Sequence, residues 1–369
     1  MRRFFVSSSI LVVMLIPDPE PTARLSRDLS RLDRLHERLA EEIERPLRYD
    51  GPIRRMARAE SVEASTSIEG FALPLDEAAA VLRGSATATG SDARLAVAAY
   101  GRAMDHVLVL ADDPHFSWDL RVLLDLHFDC CAWQTNRSPG RLRAGPIQVT
   151  GPGGEARYEG PPAEEVPPLM RELVDYLTAG SGHRVVRGAM THLHLASIHG
   201  FRDGNGRHSR IVQSLVLARH GVLSPEFSSI EPYLAARTRD YYTALAEAQG
   251  GAYGRWRTAE GWLGFCLRAH IEQAEKRLAL LADAGRRWTT LEALAGERGW
   301  PDRLVIALEQ AVVTGRLSRT TYAQEADVSP ATASADLRRL VDAGLIAQDG
   351  RGRSTRYRPS ESLRQRLLA

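Results

Sequence analysis

Apolar and charged residues alternate at helical spacing along most of the chain before residue 290. Residues 22–46 show this clearly, and similar segments cover residues 52–69, 91–111 and 117–133. Apolar side chains that recur every three or four positions form one face of a helix, so each segment predicts an amphipathic helix. The second of these helices is expected to stop at Gly70, because glycine commonly ends helices.

A different pattern occupies residues 138–162. Short alternating runs flank the turn sequence "GPGGE" at residues 151–155. Alternation on both sides of a glycine-rich turn predicts a β-hairpin, with strands near residues 146–150 and 156–159. Helical patterns resume after it, so the middle of the chain is predicted to be helical with one hairpin.

The end of the chain has a third pattern, which predicts a helix, a turn, another helix and then a two-stranded wing. The predicted fold is therefore mainly α: a helical bundle with a β-hairpin, plus a small C-terminal winged helix domain. We expect a leader or disordered tail at residues 1–20, an N-terminal helical region at 21–110, a central core at 111–285 and the winged helix at 290–369.

Composition narrows the function only slightly. The 369 residues are 44% hydrophobic, which allows two or three domains. The formal net charge of +2 argues neither for nor against a polyanionic partner. Lys276 is the one lysine, which excludes a phosphate loop of the Walker type. Cys130, Cys131 and Cys266 have neither disulfide-framework nor zinc-ligand spacing, and they indicate a reduced, cytoplasmic protein.

The N-terminal stretch "MRRFFVSSSILVVMLIP" combines arginines with an apolar run, as secretory signals do. Serines interrupt the run, no small-residue cleavage site follows it, and it is too short to span a membrane. We therefore expect a flexible tail or a start codon placed too far upstream rather than export, and no membrane partner.

The stretch "HGFRDGNGR" interrupts two helical patterns at residues 199–207. Gly204 and Gly206 let the backbone turn sharply and let an anion approach its amides. The helix that begins near Arg207 favours a phosphate at its N-terminus. Arg207 and Arg210 lie three positions apart, on one side of that helix, where they can clamp neighbouring phosphates.

Asp203 and His199 complete this motif. Asp203 is the only carboxylate of the loop, and Mg²⁺ usually takes one or two carboxylates together with substrate phosphates. His199 ends the preceding helix and suits the role of general base for a hydroxyl nucleophile. Together these residues predict nucleotidyl or phosphoryl transfer. The alternative is an ordinary turn between helices with a chance histidine.

The pattern His199-Gly200-Phe201-x-Asp203-Gly204-Asn205-Gly206-Arg207-x-x-Arg210 resembles the signature of the Fic-domain family. Its members typically transfer AMP from ATP to a Ser, Thr or Tyr hydroxyl of a target protein, so the resemblance implies a Fic-type helical bundle that uses ATP and Mg²⁺. It implies His199 as the base, Asp203 as the Mg²⁺ ligand and Phe201 as a buried anchor. It also implies an anion hole at Gly204, Asn205 and Gly206, and phosphate binding by Arg207 and Arg210.

Other stretches extend the resemblance. The hairpin resembles the flap of the family, which would hold a target segment by strand addition. Without the motif, the same pattern would be interpreted as a surface hairpin with no partner. Tyr241 or Tyr242 in "RTRDYYTAL" would line the nucleotide pocket, and core packing of both is the alternative. One position departs: the family usually has proline where this chain has Gly200, and glycine loosens the backbone beside the base.

An upstream helix ends in Ser65-x-x-x-Glu69-Gly70. A glutamate in the last turn of a helix opposes the helix dipole, so a cationic partner would explain it; the simpler reading is a solvated side chain. Many Fic proteins carry a Ser/Thr-x-x-x-Glu-Gly/Asn inhibitory helix. The resemblance implies that Glu69 pairs with Arg210 and blocks the seating of the γ-phosphate of ATP.

Three neighbouring histidines, His192, His194 and His199, raise the alternative of a zinc site, because imidazole is a common zinc ligand. His194 would point away from the other two on a helix, and neither a cysteine nor an HExxH pattern accompanies them. His192 is therefore expected to be a hydrogen-bonded core residue.

The C-terminal region resembles a winged helix-turn-helix, a frequent companion of Fic domains. Between Arg338 and Arg366 it carries eight arginines and three acidic residues. We expect DNA contacts from the following residues: Thr332, Ser334, Arg338, Arg351 and Arg353. The alternative is a winged helix used for dimerisation or target docking, since a fold does not fix a function.

Together with the family resemblance, the sequence predicts a protein adenylyltransferase that is held inactive by Glu69. Its partners would be a target protein, for which a second copy of this chain is one candidate, and DNA. The sequence is also compatible with a homodimer. One alternative is a Fic fold that removes AMP or transfers another phosphate-containing group. The other is a DNA-binding regulator whose nucleotide site is a sensor or idle.

Overall fold

The computed structural model describes residues 15–20, 22–44, 50–84, 86–87, 89–150, 156–254, 258–350 and 355–368. The chain forms two units. The first consists of Met1–Ala40 with Arg54–Glu275, and the second of Glu41–Ile53 with Lys276–Ala369. The helices that contribute to the first unit are α1 (Ala23–Glu44), α2 (Asp50–Ile68), α3 (Leu75–Leu82), α4 (Asp92–Asp112), α5 (Leu120–Cys131), α6 (Val166–Ala179), α7 (Arg184–Ile198), α8 (Asn205–Arg219), α9 (Pro225–Ser228), α10 (Glu231–Ala236), α11 (Thr238–Gln249) and α12 (Glu260–Gly296).

Helices α7 and α8 form the centre of the first unit. They pack extensively against each other, and α8 also packs against α4 and α5. Nearly every side chain of both helices is buried, including polar ones such as Thr191, Ser209 and Gln213. Helices that are buried on all sides lack a polar face exposed to solvent. Because both α7 and α8 are buried in this way, the loop that joins them is anchored in the core of the unit.

A short antiparallel hairpin lies in the same unit, formed by β1 (Gln148–Thr150) and β2 (Ala156–Glu159). Its second strand is fixed to the body of the unit. The backbone N–H of Glu159 donates to Gly251 O, and Tyr253 N–H donates to Glu159 O. The hydroxyl of Tyr158 donates to Ser197 O, at a distance of 2.7 Å, in the last turn of α7. The hairpin is therefore anchored beside the end of α7.

The second unit contains α13 (Arg303–Thr314), α14 (Arg319–Glu325), α15 (Pro330–Asp342), β3 (Ile346–Asp349), β4 (Arg356–Pro359) and α16 (Glu361–Leu368). Ser329 caps α15 by accepting a hydrogen bond from Thr332 N–H. The strands β3 and β4 pair antiparallel, and a further bridge joins Leu317 to Tyr357. Three helices followed by a hairpin are the order of elements in a winged helix.

The predicted fold class is confirmed: the chain is mainly helical, with two small two-stranded sheets among the residues described. The turn "GPGGE" of the first hairpin and most of the wing turn lie outside the described residues. Within the described part of the chain, no helix is both long and apolar enough to cross a membrane.

A buried carboxylate stabilises the second unit. Asp336 is 3% exposed, and it accepts hydrogen bonds from Arg303 Nε at 2.8 Å, Arg303 Nη2 at 3.1 Å and the Tyr322 hydroxyl at 2.9 Å. The bidentate pair joins α13 to α15, and Tyr322 connects α14 to the same carboxylate. The three helices therefore share one polar centre.

We predict that Asp336→Asn lowers the free energy of unfolding of the second unit. Hydrogen bonds to a charged group contribute about 1.5–3 kcal/mol, and the lower end applies because Arg303 is partly exposed to solvent. Urea titration followed by hydrogen exchange of peptides within residues 303–342 measures the change. Asp342→Asn, an exposed position of the same helix, serves as the control and should change stability by less than about 0.5 kcal/mol.

Candidate active site

The loop between α7 and α8 has a backbone that few residues adopt. His199 ends α7 with φ 47° and ψ 51°, and Gly204 precedes α8 with φ 78°. The side chain of Asn205 fixes the loop from inside, because its Oδ1 accepts from Phe201 N–H at 3.0 Å and its Nδ2 donates to Phe201 O at 2.8 Å. Asn205 therefore holds the turn through its side chain, while its backbone N–H lies at the start of α8.

His127 of α5 supports this loop from below. Its ring stacks on Phe201 with the centroids 3.6 Å apart. Its Nδ1 accepts a hydrogen bond from Gly140 N–H, so its Nε2 carries the proton and donates to Asp203 O at 2.9 Å. Sequence analysis did not single out this residue, because its partners, Gly140 and the loop residues Phe201 and Asp203, come from two other segments of the chain.

The orientation of His199 leaves one ring nitrogen available. Its Nδ1 lies 3.2 Å from Ala196 O, and only a protonated nitrogen can donate to a carbonyl, so the neutral ring has its lone pair on Nε2. Burial lowers the pKa of His199 below its usual range, and the nearby charge of Arg143 acts in the same direction. A neutral imidazole with a free Nε2 can accept a proton from a hydroxyl.

Asp203 lies beside His199 with its carboxylate about one third exposed. Its Oδ1 accepts from Gly204 N–H at 2.6 Å, and its Oδ2 accepts from Gln134 Nε2 at 3.1 Å. Among the described residues, no group of three or more His, Cys, Asp or Glu side chains could enclose a metal ion. A single carboxylate of this kind fits Mg²⁺ that is otherwise bound by water and phosphates.

Arg207 is fully buried under the loop. Its Nη2 donates to Gln134 Oε1 at 2.9 Å and lies 3.5 Å from Asp203 Oδ1. Its guanidinium stacks 5.3 Å from the ring of Phe71. Within the described part of the chain, the Nε and Nη1 atoms of Arg207 have no hydrogen-bond partner. This side chain thus keeps unused donors near the loop.

Arg210 is held by the end of α2. Its Nε donates to Ser65 Oγ at 2.7 Å, and its Nη2 donates to Ser65 O at 3.0 Å and to Glu69 Oε1 at 2.8 Å. Burial disfavours the charge of Arg210, but Glu69 and the hydroxyls of Tyr241 and Tyr100 outweigh burial and raise its pKa. The pairing of Glu69 with Arg210 is therefore present in the structure.

The carboxylate of Glu69 also covers the start of α8. A Cβ atom added to Gly206 would collide with Glu69 Oε1, so the carboxylate lies directly against the glycine backbone. The first N–H groups of a helix have no partner within the helix and attract anions. Glu69 thus occupies the place where a phosphate would bind. Gly70, with φ 86°, turns the chain immediately after it.

A cavity of about 590 Å³ opens over these residues. It is lined by the loop, the hairpin, α11 and the end of α2: Glu69, Ile147, Gln148, Val149, Thr150, Arg157, Tyr158, Ala196, His199, Arg202, Asp203, Gly204, Asn205, Gly206, Tyr241, Tyr242, Leu245, Ala246 and Gln249. Its size falls in the range of small-molecule and cofactor sites.

Tyr241 and Tyr242 both line this cavity but differ in burial. Tyr241 is buried, and its hydroxyl lies 3.0 Å from His192 Nε2 and 3.5 Å from Arg210 Nη1. Tyr242 is 40% exposed. The other ring nitrogen of His192 pairs with Gln213 Oε1 at 2.7 Å, so His192 is a hydrogen-bonded core residue. Tyr242 is the tyrosine with a face available to a ligand.

Comparison with known proteins finds a family match over part of the chain that forms this site. Residues 117–217 match the Fic/DOC family. The matched segment contains α5, the hairpin, α7, the loop and most of α8. Residues 117–217 are a Fic/DOC family domain.

Curated relatives of the Fic domain match it at modest identity. A probable protein adenylyltransferase of Aquifex aeolicus is 31% identical over 121 residues, which are 32% of this chain and 34% of the relative. Protein adenylyltransferase fic-1 of Caenorhabditis elegans is 27% identical over 217 residues, which are 56% of this chain and 40% of the relative. The chain thus spans well under half the length of these relatives.

Solved structures show the same fold over a longer stretch. A Fic family protein of Desulfovibrio desulfuricans superposes with a TM-score of 0.61 at 24% identity, over 94% of this chain and 98% of that one. A Fic domain containing signaling protein of Bacteroides thetaiotaomicron gives a TM-score of 0.54 at 18% identity, over 69% of this chain. At these identities the likeness concerns the fold alone.

Two residues of the Fic domain contribute more to the site than sequence analysis indicated. Gln134 joins Asp203 to Arg207, because its amide donates to the carboxylate and accepts from the guanidinium. Arg143, in the stretch "PGRLR", is buried and donates to the backbone oxygen of His199. No periodic pattern marks Gln134, and only its position between the two motif residues in the folded chain reveals it.

The residues proposed to contact DNA lie in the second unit. Thr332, Ser334 and Arg338 all belong to α15, where Arg338 is exposed and the other two are half-buried. Thr332 Oγ1 pairs with Ser329 Oγ, and Ser334 Oγ donates to Pro330 O, so both hydroxyls already have partners inside the helix. Arg351 and Arg353 lie outside the described residues.

Gly200, the position where the family usually has proline, has room for a side chain. A Cβ there would lie 3.4 Å from Val166 Cγ1, 3.6 Å from Leu142 Cδ2 and 3.7 Å from Met170 Sδ, which are ordinary contacts. By contrast, Gly204 has a positive φ, and a Cβ there would collide with Cys131 Sγ.

We predict that Gly200→Ala stabilises the Fic domain by about 0.4–1 kcal/mol, because it restricts the unfolded chain without a clash in the folded one. Thermal and urea unfolding measure the change. Gly204→Ala provides the contrast and should be destabilising. A loss of stability in Gly200→Ala would mean that the backbone at this position requires glycine.

Proposed function

We propose that this protein transfers AMP from ATP to a hydroxyl group of a target protein, and that Glu69 restrains the reaction. One observation carries the proposal: the carboxylate of Glu69 lies against Gly206 at the start of α8 while it pairs with Arg210 at 2.8 Å. A site that holds an anion of its own chain in this way is suited to exchange it for a phosphate.

The donors around this site match a polyphosphate. The N–H groups at the start of α8 and its dipole favour negative charge. Arg210 would exchange Glu69 for a phosphate oxygen, and the unused Nε and Nη1 atoms of Arg207 provide further donors below the loop. When bound, Mg²⁺ would be held by Asp203 and would neutralise charge on the phosphates.

His199 supports the choice of a hydroxyl acceptor. A hydroxyl oxygen of the target attacks the α-phosphorus of ATP, its proton passes to His199 Nε2, and pyrophosphate leaves as the P–O bond to the β-phosphate breaks. The lowered pKa of His199 keeps the imidazole neutral and able to accept this proton at physiological pH.

The names of the curated relatives, both adenylyltransferases, favour AMP over another phosphate-containing group. Removal of AMP from a modified protein would use the same residues, and it stands as the alternative.

We also propose a cytoplasmic protein whose winged helix binds DNA through α15, where Arg338 is exposed. Dimerisation or target docking through that unit is the competing role.

We predict that Glu69→Gly raises protein adenylylation by about 10- to 100-fold. This range corresponds to the loss of a charge-assisted hydrogen bond of about 1.5–3 kcal/mol that competes with ATP. Incubation with α-labelled ATP, Mg²⁺ and cell lysate measures the transfer of label to protein.

The control in the same experiment is Glu69→Gly combined with His199→Ala. It should retain ATP binding but lose transfer by about 10²- to 10⁴-fold, because it lacks the base. Label in the wild type equal to that of Glu69→Gly would refute the restraint. Absence of label in every variant would refute adenylyl transfer and favour the regulator. Labelled UTP, GTP and CDP-choline in parallel would reveal transfer of another group.

We predict an acid limb of the pH–rate profile that lies below the ordinary histidine pKa of 6.5. Neutral His199 is the active form, and burial lowers its pKa, so protonation and loss of rate occur only as the pH falls below 6.5. Initial rates of Glu69→Gly between about pH 5 and pH 8 test this. A rate that is already halved above pH 6.5 would show that another group limits the reaction.

A further inference from the structure

Arg143 carries a buried positive charge that is bound by backbone oxygens. The residue is 8% exposed. Its Nε donates to His199 O at 2.9 Å, its Nη1 to Gly145 O at 2.7 Å and its Nη2 to Pro161 O at 2.6 Å. Three carbonyl oxygens from three separate segments thus converge on one guanidinium. Such a convergence uses the planar fork of arginine and the donors that point in different directions from it.

The first of these oxygens belongs to the residue that supplies the base. His199 is the only motif residue with a side chain beyond hydrogen at positive φ, 47°, a region that non-glycine residues seldom adopt without support. Arg143 Nε holds the carbonyl of His199, and the backbone N–H of Arg143 donates to Gly200 O at 2.9 Å. The consecutive backbone carbonyls of His199 and Gly200 are therefore both fixed by Arg143.

The other two oxygens belong to the two ends of the hairpin. Gly145 precedes β1, and Pro161 follows β2. Next to Pro161, a Cβ on Gly160 would lie 3.2 Å from Arg143 Nη2 and would collide with Ile147, so the glycine lets the hairpin approach the guanidinium. Arg143 is thus the point at which both ends of the hairpin meet the backbone of His199.

We propose that Arg143 is a positioning residue that sets the distance between the hairpin and His199 Nε2. The hairpin lines the cavity through Ile147, Val149 and Tyr158, so a target segment held along it would present its hydroxyl at a place fixed by Arg143. This inference rests on the proposed function, in that the hairpin holds the acceptor and His199 takes its proton. A group displaced by about 1 Å can lose on the order of 10²-fold in rate.

The experiment compares Arg143→Gln and Arg143→Lys in the Glu69→Gly background. Arg143→Gln should lower kcat for target modification by about 10- to 100-fold and leave the KM for ATP within about twofold, since no phosphate donor is changed. Arg143→Lys keeps the charge but not the three-way fork, and its kcat should lie between those of the parent and the glutamine variant. Arg141→Gln, an exposed arginine two positions away, is the matched control and should match the parent.

Hydrogen exchange separates this inference from the proposed function. Peptides within residues 143–150, 156–161 and 199–203 should exchange faster in Arg143→Gln than in the parent, while α15 remains unchanged. If the Glu69→Gly parent transfers no AMP, the proposed function fails and faster exchange still supports the positioning role. An unchanged kcat in an active, folded Arg143→Gln, or unchanged exchange in these peptides, overturns the role of Arg143.

Discussion

The buried charge of Arg210 is the constraint on which the site depends. The residue is 2% exposed, and a charge removed from water must find acceptors within the protein. Ser65 and Glu69 provide them. Without a nucleotide, an internal anion near the start of α8 therefore stabilises the buried guanidinium. The contact that restrains the proposed reaction is also the contact that stabilises the arginine, so restraint and stability have one physical cause.

The second arginine shows the complementary arrangement. Arg207 is as deeply buried as Arg210, yet among the residues described two of its nitrogens have no partner. Gln134 and the ring of Phe71 hold the guanidinium in place without saturating its donors. Buried donors without a partner lower the stability of the folded state. A phosphate that accepted hydrogen bonds from them would offset this loss. One arginine is thus paired within the chain, while the other keeps two nitrogens without a partner among the described residues.

Sequence could predict the parts of this site that are local. The glycines of "DGNGR" determine a turn, and the positive φ of Gly204 follows from that chemistry. The first hairpin, and the helices and two-stranded sheet near the C-terminus, also followed from short-range patterns. Glu69 and Arg210 lie far apart in the chain, and periodicity gives no reason for them to meet; only the family resemblance suggested it. His127, Gln134 and Arg143 act through backbone atoms and amides whose proximity is set by tertiary packing, so no local pattern reveals them.

In the proposed reaction, the position of Glu69 on the same chain affects how ATP would compete with it. A tethered group acts at an effective concentration of about millimolar or more, so a single phosphate that replaces one ion pair gains little over the carboxylate. In the proposed reaction a triphosphate differs, because it would also meet the N–H groups at the start of α8. Under the proposed function, Glu69 would therefore permit ATP to bind while opposing the one arrangement that needs Arg210. Any partner that draws the end of α2 away from Gly206 would release both the arginine and the helix N-terminus in a single movement.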